Sequence, residues 1–538
     1  LLAALLVLPV GCGGGSGRPT GPPTPIPHTV RTYTGRIGYF VTGPRIGSLD
    51  ADGRLVPQAG FITPNNSRPM PDLRLEVLDD TGALLGIAFT DASGNYSVTV
   101  NHGPKPAPPV RVRAVTTATR QGSTFRVLPR RGAPGPYEYS SPLTTDPGTA
   151  MVPINLAVPL AQGAAAFHIC EVVSAGLSVI QGGIFGTLPN VDVFWEPGNG
   201  AVSTVTRVNP GLAEIVIAGG IAGNDASNQD AWDEPQIMRI LGELFLVCFS
   251  NSVAPPGEAD GTLLVPSVAW REGFLDFFAC AGRGTPEFWD TEGTGAAGRV
   301  VRYFNAESFF DPALGSLGAD DPNVYQDPAV TGIGSRFTVT EVLWDILDSP
   351  TADEDADVLS LPLFLMLRDL EALKPGESYP YLYTALDQYV TNLSFTGIQA
   401  DIILARPENQ GLSYPPDNGS VWPTSIHNPA APANPIVAPF DRTYSDHIDN
   451  TTPPANEELG LMSLRYFGFE LGATATASAT VTSAASLRVD ILDLENRVIA
   501  GGAPAAVAAL QPGAYVVRVS SAAGPVAADF DLRIQLTP

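Results

Sequence analysis

Lysine is nearly absent from this chain of 538 residues: Lys105 and Lys374 are the only two, and the other 28 of its 30 basic residues are arginine. We read that bias as codon usage in a GC-rich genome. Positive charge as a whole is scarce, 30 basic residues against 55 acidic ones, for a formal charge of −25. A phosphate backbone is held by clustered Lys and Arg, so this balance argues against a nucleic-acid partner. Cysteine is scarce as well, and four in 538 residues cannot build a disulfide scaffold. Charged residues make up only 16% of the chain, yet an apolar content of 44% rules out global disorder. Past the first ten residues, no apolar run reaches the ~18 expected of a membrane helix. What the chain has in plenty is glycine (55) and proline (51), which implies many turns, strand ends and linkers. Its length implies three or four domains at about 100–200 residues each.

The segment Leu1–Val10 (LLAALLVLPV) is almost wholly apolar but too short to cross a hydrocarbon core of ~30 Å. It reads as the h-region of a signal peptide whose Met and basic n-region are missing. Gly11 and Cys12 follow, and this order resembles a bacterial lipobox. The resemblance implies that Cys12 is lipidated and becomes the mature N-terminus, so that residues 1–12 form the signal and 13–28 a Gly/Pro-rich tether. The expected location is the bacterial cell envelope, anchored by lipid at the outer membrane or cell surface. The plainer alternative is a secretory peptide with an incidental cysteine.

Residues 29–160 alternate and turn in the manner of a β-sandwich. Leu73–Leu78, Leu84–Thr90 and Tyr96–Val100 read as strands, separated by turns at Asp79–Gly82 and Asp91–Asn95. The stretch Thr90–Tyr96 (TDASGNY) resembles the hairpin of carboxypeptidase-regulatory-like (transthyretin-like) domains. Residues 161–405 read as an α+β domain, mainly helical, with strands at Val191–Trp195 and Glu214–Ala218. Its expected helices are Phe167–Ile180, Pro235–Phe249, Pro266–Ala281, Thr338–Leu347, Pro362–Leu370 and Tyr381–Leu393. Residues 406–456 are proline-rich and read as a linker. Residues 457–538 read as a second β-sandwich, with strands at Leu461–Glu470, Thr474–Val481, Leu487–Leu492 and Ala514–Val519. Within it, Leu510–Val519 (LQPGAYVVRV) resembles the edge of bacterial pre-peptidase C-terminal domains.

The most informative stretch is Asp233–Leu244 (DEPQIMRILGEL), followed by Ala269–Phe274 (AWREGF) and Val342–Asp348 (VLWDILD). This order resembles a bacterial zinc metalloprotease family of gluzincin type. In that family the active helix reads roughly aliphatic-H-E-Y-G-H, the second A-W-x-E-G-F, and a later helix L-W-D-hydrophobic-x-D. The second and third motifs match, and Glu272 falls at the family's third zinc ligand. The first motif is degenerate. Its two His positions hold Arg239 and Glu243, and its general-base position holds Ile240. Zinc hydrolysis needs neutral imidazoles and a base to activate water; a guanidinium stays protonated and an isoleucine takes no proton. Zinc chemistry is therefore expected to be lost. If the family fold holds, Arg239, Glu243 and Glu272 converge, and Arg239 is expected to bridge both glutamates as a structural replacement for the metal.

Other chemistries find little support. The five histidines (His28, His102, His168, His427 and His447) show no helical ligand spacing, and His168 reads as a cap or packing residue. There is no G-x-S-x-G, no phosphate loop and no C-x-x-C. Gly293–Gly298 spells G-x-G-x-x-G without a preceding strand and reads as a turn, and Ala352–Asp357 as a surface charge run. Asp225, Asp230, Asp233 and Glu234 offer oxygen ligands that would suit calcium, although a solvated acidic loop is the plainer reading. On the family fold Cys248 and Cys280 would be neighbours able to form a disulfide, with Cys170 competing and buried free thiols as the alternative. The function expected is that of a non-catalytic pseudo-peptidase that binds or scaffolds a protein or peptide ligand. The competing readings are a hydrolase or protease with relocated residues, and a structural adhesin with a vestigial cleft.

Overall fold

The computed structural model describes residues 28–44, 61–62, 67–120, 122–209, 211–250, 266–293, 299–306, 336–348, 360–371, 382–393, 396–404, 438–449, 464–493, 497–522 and 526–538. Cys12, His427, Ala352–Asp357 and most of the Gly293–Gly298 segment lie outside the described residues. Seven sheets and seven α-helices are present among those described, a β-rich chain of mixed class.

The long strand Val30–Phe40 organises the first part. It pairs antiparallel with Asn95–Asn101 and Ser67–Pro69, and parallel with Met151–Pro153 and Leu156–Val158. Beside it, Arg74–Asp79 is flanked by Leu84–Phe89 and Val110–Val115, with Glu138–Ser140 on the far edge. Both turns expected from sequence are closed by aspartate. Asp79 Oδ1 accepts from the N–H groups of Thr81 and Ala83 at 2.9 and 2.8 Å, and Asp91 Oδ1 from those of Ser93 and Asn95 at 2.9 and 2.8 Å. In the second turn Gly94 has φ 76°, and a Cβ there would lie 2.4 Å from the Ile37 carbonyl oxygen, so no side chain fits.

The next sheet runs Thr204–Asn209, Leu212–Val216, Asn190–Phe194, Ser123–Leu128 and Thr117–Arg120. Its last two strands precede residue 160 and its first three follow it; the junction is a parallel ladder from Phe125↔Val191 to Leu128↔Phe194. One hydrophobic cluster runs without a break from Tyr33 and Val112 through Phe167 and Ile215 to Phe274 and Leu343. The centre of this cluster is helical: α1 (Ala164–Gly183), α2 (Glu234–Cys248), α3 (Pro266–Ala281), α4 (Arg336–Leu347), α5 (Leu363–Glu371), α6 (Leu382–Asn392) and α7 (Gly397–Leu404). By length and composition α1 is apolar enough to cross a membrane, although Glu171 interrupts its apolar run. Here α1 is mostly buried against other elements. On α3, Trp270, Phe274, Phe277 and Phe278 are fully buried, and each such side chain stabilises by about 1.5–3 kcal/mol. Gly273 lets α4 approach: a Cβ there would lie 2.5 Å from both the Arg336 carbonyl oxygen and Val339 Cβ.

A further antiparallel sheet has the order Gly219–Ile221, Asn224–Gln229, Glu287–Glu292 and Arg299–Asn305. Only one pair joins its middle strands, Asn228↔Glu292, but that pair brings the strand after α3 beside the entry to α2.

At the C-terminus two four-stranded antiparallel sheets share a separate core that includes Phe469, Val489, Ile491, Val519, Leu532 and Ile534. One has the order Phe440–Asp449, Ala527–Thr537, Ala475–Ser483 and Ala505–Leu510; the other Leu464–Leu471, Gly513–Ser521, Leu487–Asp493 and Val498–Gly502. The strand Phe440–Asp449 falls inside the stretch read from sequence as linker, yet it pairs along its whole length, from Phe440↔Leu536 to Asp449↔Ala527. On the opposite face of the second sheet, the paired residues Leu492 and Val516 join the larger cluster.

Candidate functional site

The sequence of α2 places Arg239 and Glu243 one turn apart, and α3 supplies Arg271, Glu272 and Asp276. Arg336 enters from the first residue of α4. These six side chains form one network. Arg239 donates through Nη2 to Glu272 and through Nε to Asp276 Oδ1 at 2.9 Å. Arg271 donates to Glu272 Oε1 and, at 3.0 Å, to Glu243 Oε1. Arg336 closes the set on Asp276 Oδ2, with Nε at 2.9 Å and Nη2 also bonded. Glu243 also accepts from the Val205 N–H at 3.2 Å and the Thr204 hydroxyl at 3.3 Å. Asp276 is wholly buried, and Glu272, Arg271 and Arg336 nearly so.

Three guanidinium groups thus face three carboxylates in a setting where an unpaired charge costs several kcal/mol. Burial opposes the charge on Arg239, but Glu272 and Asp276 outweigh it and hold the guanidinium above its ordinary range. The expectation that Arg239 bridges Glu243 and Glu272 is half met. Arg239 takes Glu272 and Asp276, while Glu243 belongs to Arg271, which links it to Glu272. The reason is geometric: Asp276 lies one turn beyond Glu272 on the same face of α3, within reach of the fork of Arg239. Ile240, at the position that the resemblance gives to a general base, packs into the core at 3% exposure.

Beside the network lies a second group of charges. Asp230 opens the single 3₁₀ turn (Asp230–Trp232) that connects the strand Asn224–Gln229 to α2, Asp233 occupies the N-cap position of α2, and Asp290 comes from Glu287–Glu292. One carboxylate oxygen from each lies within 4.8 Å of the other two. Asp233 does not cap its helix. Its two oxygens accept from the Thr291 hydroxyl at 2.8 and 2.9 Å, and Oδ2 also from the Thr291 N–H at 2.8 Å. Asp230 takes a hydrogen bond from Ser203 on Oδ2, while its Oδ1 and that of Asp290 are buried without a partner. Burial, reinforced by the neighbouring carboxylates, pushes Asp230 and Asp233 well above the usual carboxylate range. Burial also raises Asp290, against the opposing field of Arg239. The solvated-loop reading of this acidic run is corrected here, because Asp230 and Asp233 are wholly buried. Glu234, from the same run, turns away to Arg68 at 2.6 Å and Arg283 at 3.7 Å.

His168 packs on α1 as a buried residue. Tyr39 donates its hydroxyl proton to Glu171, so the 3.0 Å contact between Tyr39 and His168 Nδ1 is donated by the ring. The ring stacks on Trp232 at 5.2 Å, and burial lowers its pKa to about 4, which keeps it neutral. His102 meets Tyr33 at 3.0 Å and His28 meets Asn101 at 3.2 Å. His447 lies on the edge strand Phe440–Asp449, in register with Asp529. Cys170, Cys248 and Cys280 are free thiols, so the pairing of Cys248 with Cys280 is not formed. Cys280 is turned instead to the Pro286 carbonyl at 3.2 Å. Burial pushes the Cys248 thiol up to about 11 and Cys280 up as well, which removes thiolate character.

Sequence reasoning missed Arg271, Asp276, Asp290 and Arg336. The first two carried a signal: Arg271 is the variable position of the A-W-x-E-G-F motif, and Asp276 lies four residues after Glu272. Asp290 and Arg336 arrive through the tertiary fold alone.

No protein-family model matches this chain, and no curated protein does. Among solved structures it is similar to the crystal structure of Aeromonas hydrophila PliG, a periplasmic lysozyme inhibitor of g-type lysozyme. The identity is 9% and the TM-score 0.15, over 19% of this chain and 89% of that one, and a likeness at that level carries no argument.

Proposed function

We propose that the helical centre is a metalloprotease-like domain without catalysis, carried between two β-sandwiches by a protein that Cys12 anchors in the bacterial envelope, and used to bind or scaffold a protein or peptide ligand. The observation that carries this reading is the bonding of Arg239. A guanidinium joined to Glu272 and Asp276 stands where the family resemblance requires the first imidazole ligand, and a buried Ile240 stands where it requires the base. Glu272, the remaining zinc-ligand position, accepts from two arginines. Such a carboxylate is engaged in charge pairing, which supports a role other than metal ligation. The flanking sandwiches, with their resemblance to regulatory-like and pre-peptidase C-terminal modules, fit the presentation of a central domain at a surface.

The test is elemental analysis of the purified full chain, together with casein and peptide-library digestion. The expected result is no stoichiometric zinc and no cleavage. One tightly held zinc per chain, lost on Glu272→Gln, would overturn the reading.

A further inference from the structure

The Asp230, Asp233 and Asp290 group has no role in the function proposed above, and its chemistry differs from that of the arginine network beside it. We propose that these three carboxylates form a binding site for one calcium-sized divalent cation.

Three observations lead there. The first is convergence: a 3₁₀ turn, a helix start and a strand each deliver one aspartate, with donor oxygens within 4.8 Å of one another. An ion with oxygen ligands at about 2.3–2.6 Å places opposed ligands at most about 5 Å apart, so one ion can touch all three. The second is the fully buried Asp230, whose Oδ1 has no hydrogen-bond partner, matched by Oδ1 of Asp290. A buried carboxylate oxygen without a donor is costly, and a cation is a partner that serves several such oxygens together. The third is charge. Arg239, whose guanidinium field reaches Asp230 and Asp290, already has its Nε and Nη2 bonded to Asp276 and Glu272.

The donor set selects the ion. All three ligands are hard oxygens with no imidazole or thiolate among them, which suits calcium or magnesium and not zinc. Magnesium demands a tight octahedron and holds its waters, whereas calcium accepts the wider, irregular spacing that a buried three-carboxylate site provides. Thr291 keeps Asp233 oriented, and Ser203 does the same for Asp230, so both are held in place before the ion arrives.

The experiment uses the full chain, stripped with EDTA and titrated with CaCl2 by calorimetry, with MgCl2 and ZnCl2 in parallel. We expect one calcium per chain, bound at least tenfold more tightly than magnesium, and a thermal midpoint that rises with calcium and falls back with EGTA. Asp230→Asn and Asp290→Asn should each weaken calcium at least tenfold, whereas Asp441→Asn, at an exposed pair with Arg533 in the C-terminal sheets, should leave its affinity within twofold. Terbium titration of the unaltered chain needs no variant to fold. Trp232 and Trp289 adjoin the site in sequence, and their excitation should sensitise terbium emission that calcium quenches by displacement. Absence of one-to-one calcium binding at millimolar concentration, a preference for magnesium or zinc, or calcium affinity unchanged in both Asp→Asn variants would each overturn the proposal. Zinc binding that survives Glu272→Gln and is lost on Asp230→Asn would count against this proposal alone, so the two readings fail separately.

Discussion

The arginine network and the aspartate group are neighbours and both buried; the first joins α2, α3 and α4, the second the entry to α2 and the strand Glu287–Glu292. They solve the same electrostatic problem differently. Around Asp276 every carboxylate meets a guanidinium, three against three, and the geometry is that of forked, charge-assisted hydrogen bonds. Around Asp290 three carboxylates face one another, and burial drives them toward the protonated form. Both groups are buried, so what separates them is the partner: a guanidinium in the first, another carboxylate in the second.

The same substitution made in each group should have very different consequences. Asp276→Asn leaves Arg239 and Arg336 facing each other without their shared anion. We expect a loss of about 3–5 kcal/mol, the usual cost of breaking a buried pair from one side. Asp290→Asn, in calcium-free buffer, removes one member of a like-charged set and should cost less than about 1 kcal/mol. Urea denaturation of the two variants, followed by tryptophan fluorescence, makes the comparison. Similar losses for both would erase the distinction between compensated and uncompensated clusters.

His168 extends the comparison to a buried group that has given up its charge. Its pKa is about 4 in the folded chain, below the ordinary histidine value of 6.5, because burial disfavours the imidazolium. A depressed folded pKa means that the unfolded chain binds more protons between those values. Stability is then full above about pH 6.5, is lost as the pH falls, and levels off below about pH 4. The loss is on the order of 3 kcal/mol. Glu171, Glu234, Arg68 and Tyr39 face the same ring environment and are retained in His168→Gln, so that variant should lose only the part of the acid sensitivity that lies in this window. An unchanged stability profile from pH 6.5 to 4 would show that the ring is not held neutral.

Much of the helical centre was legible in the sequence because its periodicity is strong. The α3 boundaries agree with the expected Pro266–Ala281, and α2, α4 and α5 begin or end within two residues of theirs. The turns at Asp79 and Asp91 were legible because aspartate-glycine chemistry is local. The strand Phe440–Asp449 was not. Its sequence FDRTYSDHID carries few apolar residues, and a sheet edge needs only a partly covered face, here Phe440 and Tyr444 against the C-terminal core. The convergence of Arg239 and Glu272 followed from the motif order, whereas Asp290 and Arg336 reach their clusters through long-range packing that no local pattern encodes. The acidic run Asp225–Glu234 misled for a related reason: a charge run reads as solvated until the fold closes over it.

Ion pairing at Arg239 joins α2 to α3 where the resemblance places a metal. A double-mutant cycle on Arg239→Ala and Glu272→Gln, read by urea denaturation of the full chain, addresses it directly. We expect each single substitution to cost about 3 kcal/mol and the pair together about 2 kcal/mol less than the sum, because the two losses share one interaction. Additivity within about 0.5 kcal/mol would contradict it.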